Sequence, residues 1–211
     1  MASNLLDDAQ LLQQGLASLS LSADELQQQQ VLAYIRLLLQ WNKAYNLTAA
    51  KDAQEIMVRH VLDSLTLLPF ITKKKVLDVG SGAGFPGVML AIFLKDNDII
   101  VLDSNSKKTR FLNQVKIELS LDNLTVVNQR IEDYQQDNIA TIVSRAYSSL
   151  LDFVKSTAHL CKQGDTQLLA MKGKYPTEEL QQLSGDIKVA VRPTVVPLQQ
   201  TERHIVVISY K

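Results

Sequence analysis

Val76-Leu77-Asp78-Val79-Gly80-Ser81-Gly82-Ala83-Gly84-Phe85-Pro86-Gly87 is the stretch that decides the fold. An apolar run of strand length ends at Val79, and a glycine-rich turn follows. Pro86 then suits the first turn of a helix, where no amide donor is needed. Glycines permit positive φ and let the backbone approach a ligand closely. Such a strand–loop–helix places a ligand site at the carboxyl ends of parallel strands.

Downstream, short Val- and Ile-rich runs recur at 75–79, 99–103, 124–128, 141–144, 167–171, 187–191 and 205–209. Helix-length segments or compact turns separate the first five, which predicts βαβ units on a mostly parallel sheet. The last two are joined by a connection expected to contain Pro193 and Pro197, which suits an antiparallel closing pair. Upstream, residues 5–70 read as helical. Val31, Leu32, Ile35, Leu38 and Leu39 form one apolar face. Ser22 is the expected N-cap, with Glu25 completing a capping box. Ile56, Met57, His60, Val61, Leu65 and Leu68 make a second apolar face, with Arg59 and Asp63 on the other side and Pro69 ending the run. Between the two helices, 41–48 shows no clear period. The expected division is a helical N-terminal extension over 1–72 and a Rossmann-like α/β domain over 73–211.

The length of 211 residues allows one α/β domain plus an appendage, and 46% hydrophobic residues allow a substantial core. No apolar run reaches the ~18 residues of a membrane span. The N-terminus has neither the basic nor the apolar region of a signal peptide, so an intracellular, cytoplasmic protein is expected. Cys161 stands alone, which excludes an internal disulfide and a cysteine zinc cage, and no metal is expected. Lys plus Arg and Asp plus Glu both number 22, so any nucleic-acid binding requires basic residues gathered locally.

Gly82, Gly84 and Gly87 fit G-x-G-x-x-G, a dinucleotide fingerprint that is weak alone. Asp103, at the end of the second strand, is placed for a ribose diol. Asp78 lies two residues before Gly80, where a carboxylate could face the amino group of a methionine moiety and would repel a pyrophosphate. The pair turns the reading from NAD toward S-adenosylmethionine. A plain structural turn remains the alternative, and no Tyr-x-x-x-Lys pair is present to serve hydride transfer.

Several segments outside the glycine loop then match together: Trp41-Asn42-Lys43-Ala44-Tyr45-Asn46-Leu47-Thr48, Arg59-His60-Val61-Leu62-Asp63-Ser64, Ser144-Arg145-Ala146, Lys172-Gly173 and Glu202-Arg203-His204. With 78–87 they resemble the bacterial family of guanine-N7 methyltransferases of 16S ribosomal RNA, once called glucose-inhibited division protein B. The resemblance runs from about residue 25 to the C-terminus. It implies a seven-stranded, mostly parallel class I methyltransferase sheet. It implies cofactor contacts from Gly80, Gly82, Phe85, Ile131, Glu132 and Arg145, with Asp103 on the ribose. Ala83 stands at a loop position where small residues vary.

Methyl transfer from a sulfonium is an in-line displacement in which the protein chiefly positions donor and acceptor. Guanine N7 offers a free lone pair and needs no general base, in keeping with a sequence that shows no acid–base dyad. The Asn/Asp-Pro-Pro-aromatic pattern of amine methylation is missing, and Ser144-Arg145-Ala146-Tyr147 stands after the fourth strand instead. Cys161 reads as a small core residue and His60 as a satisfied structural histidine. Arg145 is the candidate active-site side chain, for the cofactor carboxylate or for purine O6. Lys107, Lys108 and Arg110 at a helix start, with Lys172, Lys174 and Arg203, are the candidate RNA contacts, whereas Lys73-Lys74-Lys75 belong to the opposite sheet edge. The expected partner is 16S ribosomal RNA or the small subunit, met by a monomer. A non-catalytic, S-adenosylmethionine-binding assembly factor is the competing reading.

Overall fold

The computed structural model describes residues 5–72, 74–145, 147–161, 166–199 and 201–210; Lys73 and Ala146 of the motifs above lie outside them. Seven strands form one sheet in the order β3-β2-β1-β4-β5-β7-β6. They are β1 (Lys75–Val79), β2 (Asp98–Leu102), β3 (Leu124–Val127), β4 (Thr141–Ser144), β5 (Gln167–Lys172), β6 (Ile187–Val196) and β7 (Thr201–Tyr210). The first five pair in parallel, while β7 runs antiparallel between β5 and β6. Alternation of side chains across the sheet explains why the central strands β1, β2 and β4 carry apolar residues on both faces. Val76, Ile99, Val101 and Val143 enter one buried cluster. Leu77, Ile100, Leu102 and Ile142 enter the cluster on the other face.

The connection between β6 and β7 is shorter than expected. Pro193 lies inside β6, opposite His204, and only Pro197 falls in the turn. β6 is the edge strand, so a residue without an amide hydrogen is tolerated there.

The N-terminal helices are α1 (Leu5–Ser18), α2 (Glu25–Tyr45), α3 (Ala53–Ile56) and α4 (Asp63–Leu65). They bury Leu12, Val31, Tyr34, Leu38, Ile56 and Leu62 in the same cluster as one face of the sheet. They pack there on α5 (Gly87–Phe93) and α6 (Ser106–Glu118). The opposite face is covered by α7 (Leu150–Thr157) and α8 (Thr177–Gln181).

Three local expectations are corrected. The N-cap of α2 is Asp24, which accepts from Gln27 N–H at 2.7 Å while the Gln27 side chain accepts from Asp24 N–H at 2.9 Å. Ser22-x-x-Glu25 and Asp24-x-x-Gln27 both fit the box template. Tertiary partners select the second: Asp24 also reaches Lys95 at 2.8 Å and Gln27 reaches the Ile92 carbonyl at 3.1 Å. Trp41 to Tyr45 continue α2 rather than lying between two helices, and Asn46 ends it at φ 50°. Finally, Met57–Leu62 is π-helical and resets the phase of the run, so Asp63 is buried instead of sharing a solvent face with Arg59. Arg59 pairs with Glu55.

Candidate active site

The turn after β1 is braced from beneath. Asp78 is fully buried and accepts the Gly87 N–H at 2.9 Å, while its backbone carbonyl accepts the Ser81 hydroxyl at 2.9 Å. Only Oδ2 of this carboxylate, which the sequence reading set against a ligand's amino group, holds the loop; Oδ1 is buried without a hydrogen-bond partner among the described residues. Burial pushes the carboxyl up to about 7, against the opposing pull of the Gly87 amide. The amide donor that a pyrophosphate would seek at this helix start is therefore already taken.

Above the turn, the end of β2 and the segment after β3 enclose a cavity of about 390 Å³. Gly80, Asp103, Ile131 and Glu132 line it together, as predicted, joined by Lys108 and Tyr147. Asp103 is held rigidly: its carboxylate accepts from Gly82 N–H at 2.9 Å and Asn105 N–H at 2.9 Å, and Lys108 Nζ stands 3.4 Å away. Gly82 thus acts through Asp103 rather than lining the cavity. Gly80 has φ +70° and nothing within 4 Å of where a Cβ would stand, so the backbone is open to a ligand at this point. A carboxylate that can accept hydroxyl protons, an open glycine backbone and the apolar Ile131 beside Tyr147 fit a ribose-bearing, adenine-bearing cofactor.

Phe85 and Arg145 lie away from this cavity. Phe85 is buried, with the Tyr34 ring at 5.2 Å, the His60 ring at 5.0 Å and the Arg145 guanidinium 5.0 Å from its centroid. Arg145 lines a second cleft of about 320 Å³ with Arg59, His60, Asp63, Met171, Lys172, Gly173 and Arg203. Arg145 NH1 donates to His60 Nδ1 at 3.1 Å and lies 3.7 Å from Asp63. Arginine only donates, so Nδ1 is the acceptor and Nε2 carries the proton given to Thr48 Oγ1 at 3.0 Å. Burial, and then the Arg145 charge, push His60 down to about 4. Burial also lowers Arg145, opposed by Asp63 and Asp78. Neutral His60 is satisfied at both nitrogens and is not poised as a base.

A pH test follows from His60 and Asp78, which titrate in opposite senses. His60 titrates lower when folded, so its contribution is complete above about pH 6.5 and is lost as the pH falls toward about 4. Asp78 titrates higher when folded, so its contribution grows as the pH falls from about 7. The stability difference between wild type and His60→Asn should therefore shrink on acidification from pH 7 to 4, by up to about 3 kcal/mol. Urea unfolding at several pH values reads it; a difference independent of pH refutes the neutral assignment.

The predicted basic residues are not equivalent. Lys107 and Arg110 are exposed on α6, Lys108 turns to Asp103, and Arg203 donates to Asp63 at 2.7 Å. Lys172 is bound by both Glu179 oxygens, at 3.0 and 2.8 Å. β2 and β5 stand three strand positions apart, roughly 15 Å, so the basic groups flank the site from two sides. Cys161 is buried, hydrogen-bonded to the Thr157 carbonyl and pushed up to about 11, as fits a core residue. Among the described residues no cluster of metal-ligating side chains occurs, and no helix is long and apolar enough to cross a membrane. Sequence reading missed Asp63 and Tyr147 as site residues. The signal for Asp63 was present, a lone carboxylate within Val61-Leu62-Asp63-Ser64-Leu65.

Among solved structures, the fold is similar to a SAM-dependent methyltransferase from Aquifex aeolicus, with TM-score 0.54, 17% identity, and coverage of 73% of this chain and 92% of that one. An O-methyltransferase from Bacillus cereus gives TM-score 0.55 at 13% identity, covering 85% and 91%. These likenesses bear on the fold alone. In sequence, the ribosomal RNA small subunit methyltransferase G of Pseudomonas syringae pv. tomato is 47% identical over 204 residues, covering 95% of both chains. That of Nitrosococcus oceani is 44% identical over 198 residues, 93% of this chain and 92% of its own. Residues 27–206 match the family model described as rRNA small subunit methyltransferase G, the GidB family. Near-full-length identity, the class I methyltransferase sheet and a cavity suited to S-adenosylmethionine agree, and the chain belongs to the rRNA small subunit methyltransferase G family.

Proposed function

We propose that the chain methylates N7 of a guanine in 16S ribosomal RNA, with the base entering the 320 Å³ cleft beside Arg145. The observation that carries this reading is the pairing of two cavities. One is lined by Asp103 and Gly80, and the other, beside the Phe85–Arg145 stack, is lined by arginines. S-adenosylmethionine, bound in the first, supplies an electrophilic methyl group on a sulfonium.

Asp103 accepts from the ribose hydroxyls, Ile131 and Glu132 edge the adenine, and the Gly80 backbone lets the methionine end approach. Phe85 backs the second cleft, its ring packed on Arg145 and His60. Arg145 donates to guanine O6 and so holds the base with N7 in line with the methyl group. No proton leaves N7, in keeping with a neutral, fully engaged His60 and a buried Cys161. Lys107, Arg110 and Arg203 take RNA phosphates, with Lys108 and Lys172 shaping the rims through Asp103 and Glu179. The enzyme acts as a monomer in the cytoplasm, where ribosomal subunits are made.

Incubation with methyl-labelled S-adenosylmethionine and small-subunit RNA, naked or as particles, tests the reading. One guanine should acquire label, recovered as N7-methylguanine by mass mapping. Absence of label from both substrates would sink the proposal.

A further inference from the structure

Asp63 is the most buried charged group bordering the second cleft, at 2% exposure, and it belongs to the N-terminal helices rather than the sheet. It meets two arginines from distant parts of the chain. Arg203 Nε, on β7, donates to Oδ1 at 2.7 Å, and Arg145, at the end of β4, lies 3.7 Å from Oδ2. The contact with Arg203 spans 140 residues of sequence. Each guanidinium carries five N–H donors in a rigid fork, so anchoring by Asp63 leaves other donors on both for the cleft.

A second anchor reaches Arg145 from the same helices. Asn42 fixes Thr48 by two hydrogen bonds of 2.9 Å, Thr48 Oγ1 accepts from His60, and His60 Nδ1 accepts from Arg145. The Trp41–Thr48 and Arg59–Ser64 segments thus converge on the arginines. A carboxylate used only to hold the fold together would not need to border a cleft and bind two of its arginines.

We infer that Asp63 is a positioning residue for the reaction: a single buried carboxylate sets Arg145 toward the target base and Arg203 toward the phosphate beside it. This rests on the proposed function and assigns the N-terminal helices a part in substrate placement. Misplacement of a positioning group by 1 Å can cost about 10²-fold in rate, so the effect of losing the anchor exceeds that of a rim charge.

Asp63→Asn, Arg203→Ala and the double variant test it, with Asp63→Glu as a variant that keeps the charge but moves it. The readouts are kcat and KM for small-subunit RNA, RNA affinity, S-adenosylhomocysteine affinity by calorimetry, and thermal melting. Asp63→Asn should lower kcat/KM by roughly tenfold or more while S-adenosylhomocysteine still binds, which shows a folded cofactor site. The double variant should be no worse than the poorer single one, because both remove one linkage. Asp63→Glu should melt near wild type yet remain slower. Multiplicative effects, or wild-type turnover per folded molecule in Asp63→Asn, overturn the inference. If the wild type itself transfers no methyl group, the proposed function fails separately. The binding arm still decides here, since unchanged RNA affinity in Asp63→Asn rejects the anchor.

Discussion

Arg145→Ala lowers turnover by about 10²-fold, the loss expected when removal of an orienting group misplaces the reacting base by about 1 Å. Under the proposed function the loss falls on kcat, because the guanidinium lines the second cleft and not the cofactor cavity. S-adenosylhomocysteine affinity should stay within about threefold of wild type, since that binding does not draw on the lost interaction. The fold should survive, because Asp63 keeps Arg203 at 2.7 Å and is not left as an unpaired buried charge. Lysine is a poor replacement, having no planar face to lie on Phe85. Single-turnover kinetics and calorimetry separate the outcomes: parallel loss of cofactor affinity would move Arg145 to the cofactor carboxylate. Undiminished turnover in Arg145→Ala would remove it from the reaction.

Gly87→Ala is expected to damage the protein more broadly. A Cβ at this position would stand 2.3 Å from Val101 Cγ1 and 2.7 Å from Asp78 Oδ2. Val101 is buried in the middle of β2, and Asp78 Oδ2 holds the Gly87 amide, so neither can retreat without moving the turn. Overpacking of this kind costs about 1–3 kcal/mol. In a chain of this length that lowers the melting temperature by roughly 2–4 °C per kcal/mol. The displaced turn carries Gly82, whose amide holds Asp103, so S-adenosylhomocysteine affinity falls as well. Melting and calorimetry on the same preparation check both parts. A variant as stable as wild type would show that the helix start can shift freely.

Much of this was legible from residues alone. The seven strands were readable because runs such as Ile99-Ile100-Val101-Leu102 are apolar on both faces, as a sheet covered on both sides requires. Gly80, Asp103, Ile131 and Glu132 were readable because each follows a parallel strand, and strand carboxyl ends come together by topology. The matched segments at 41–48 and 59–64 announced the family before their physical role was visible.

The helical segments were less legible. Two overlapping capping templates fit residues 22–27, and contacts with Lys95 and Ile92 chose between them. A strict 3.6-residue period buried Ile56, Met57, Val61 and Leu65 correctly but put Asp63 on the outer face with Arg59, because the chain passes through a π-helical stretch.

By itself, then, the sequence determined the α/β sheet and the glycine turn, which follow from local periodicity and strand order. Only the tertiary structure decided how that turn works. Asp78 lies beneath it as a brace, and the buried Phe85 ring packs on Arg145 and His60 of a second cleft. Asp63, from the N-terminal helices, holds Arg145 and Arg203 there. Those contacts join residues far apart in sequence, and a buried charge finds its partners only when distant segments close the core around it.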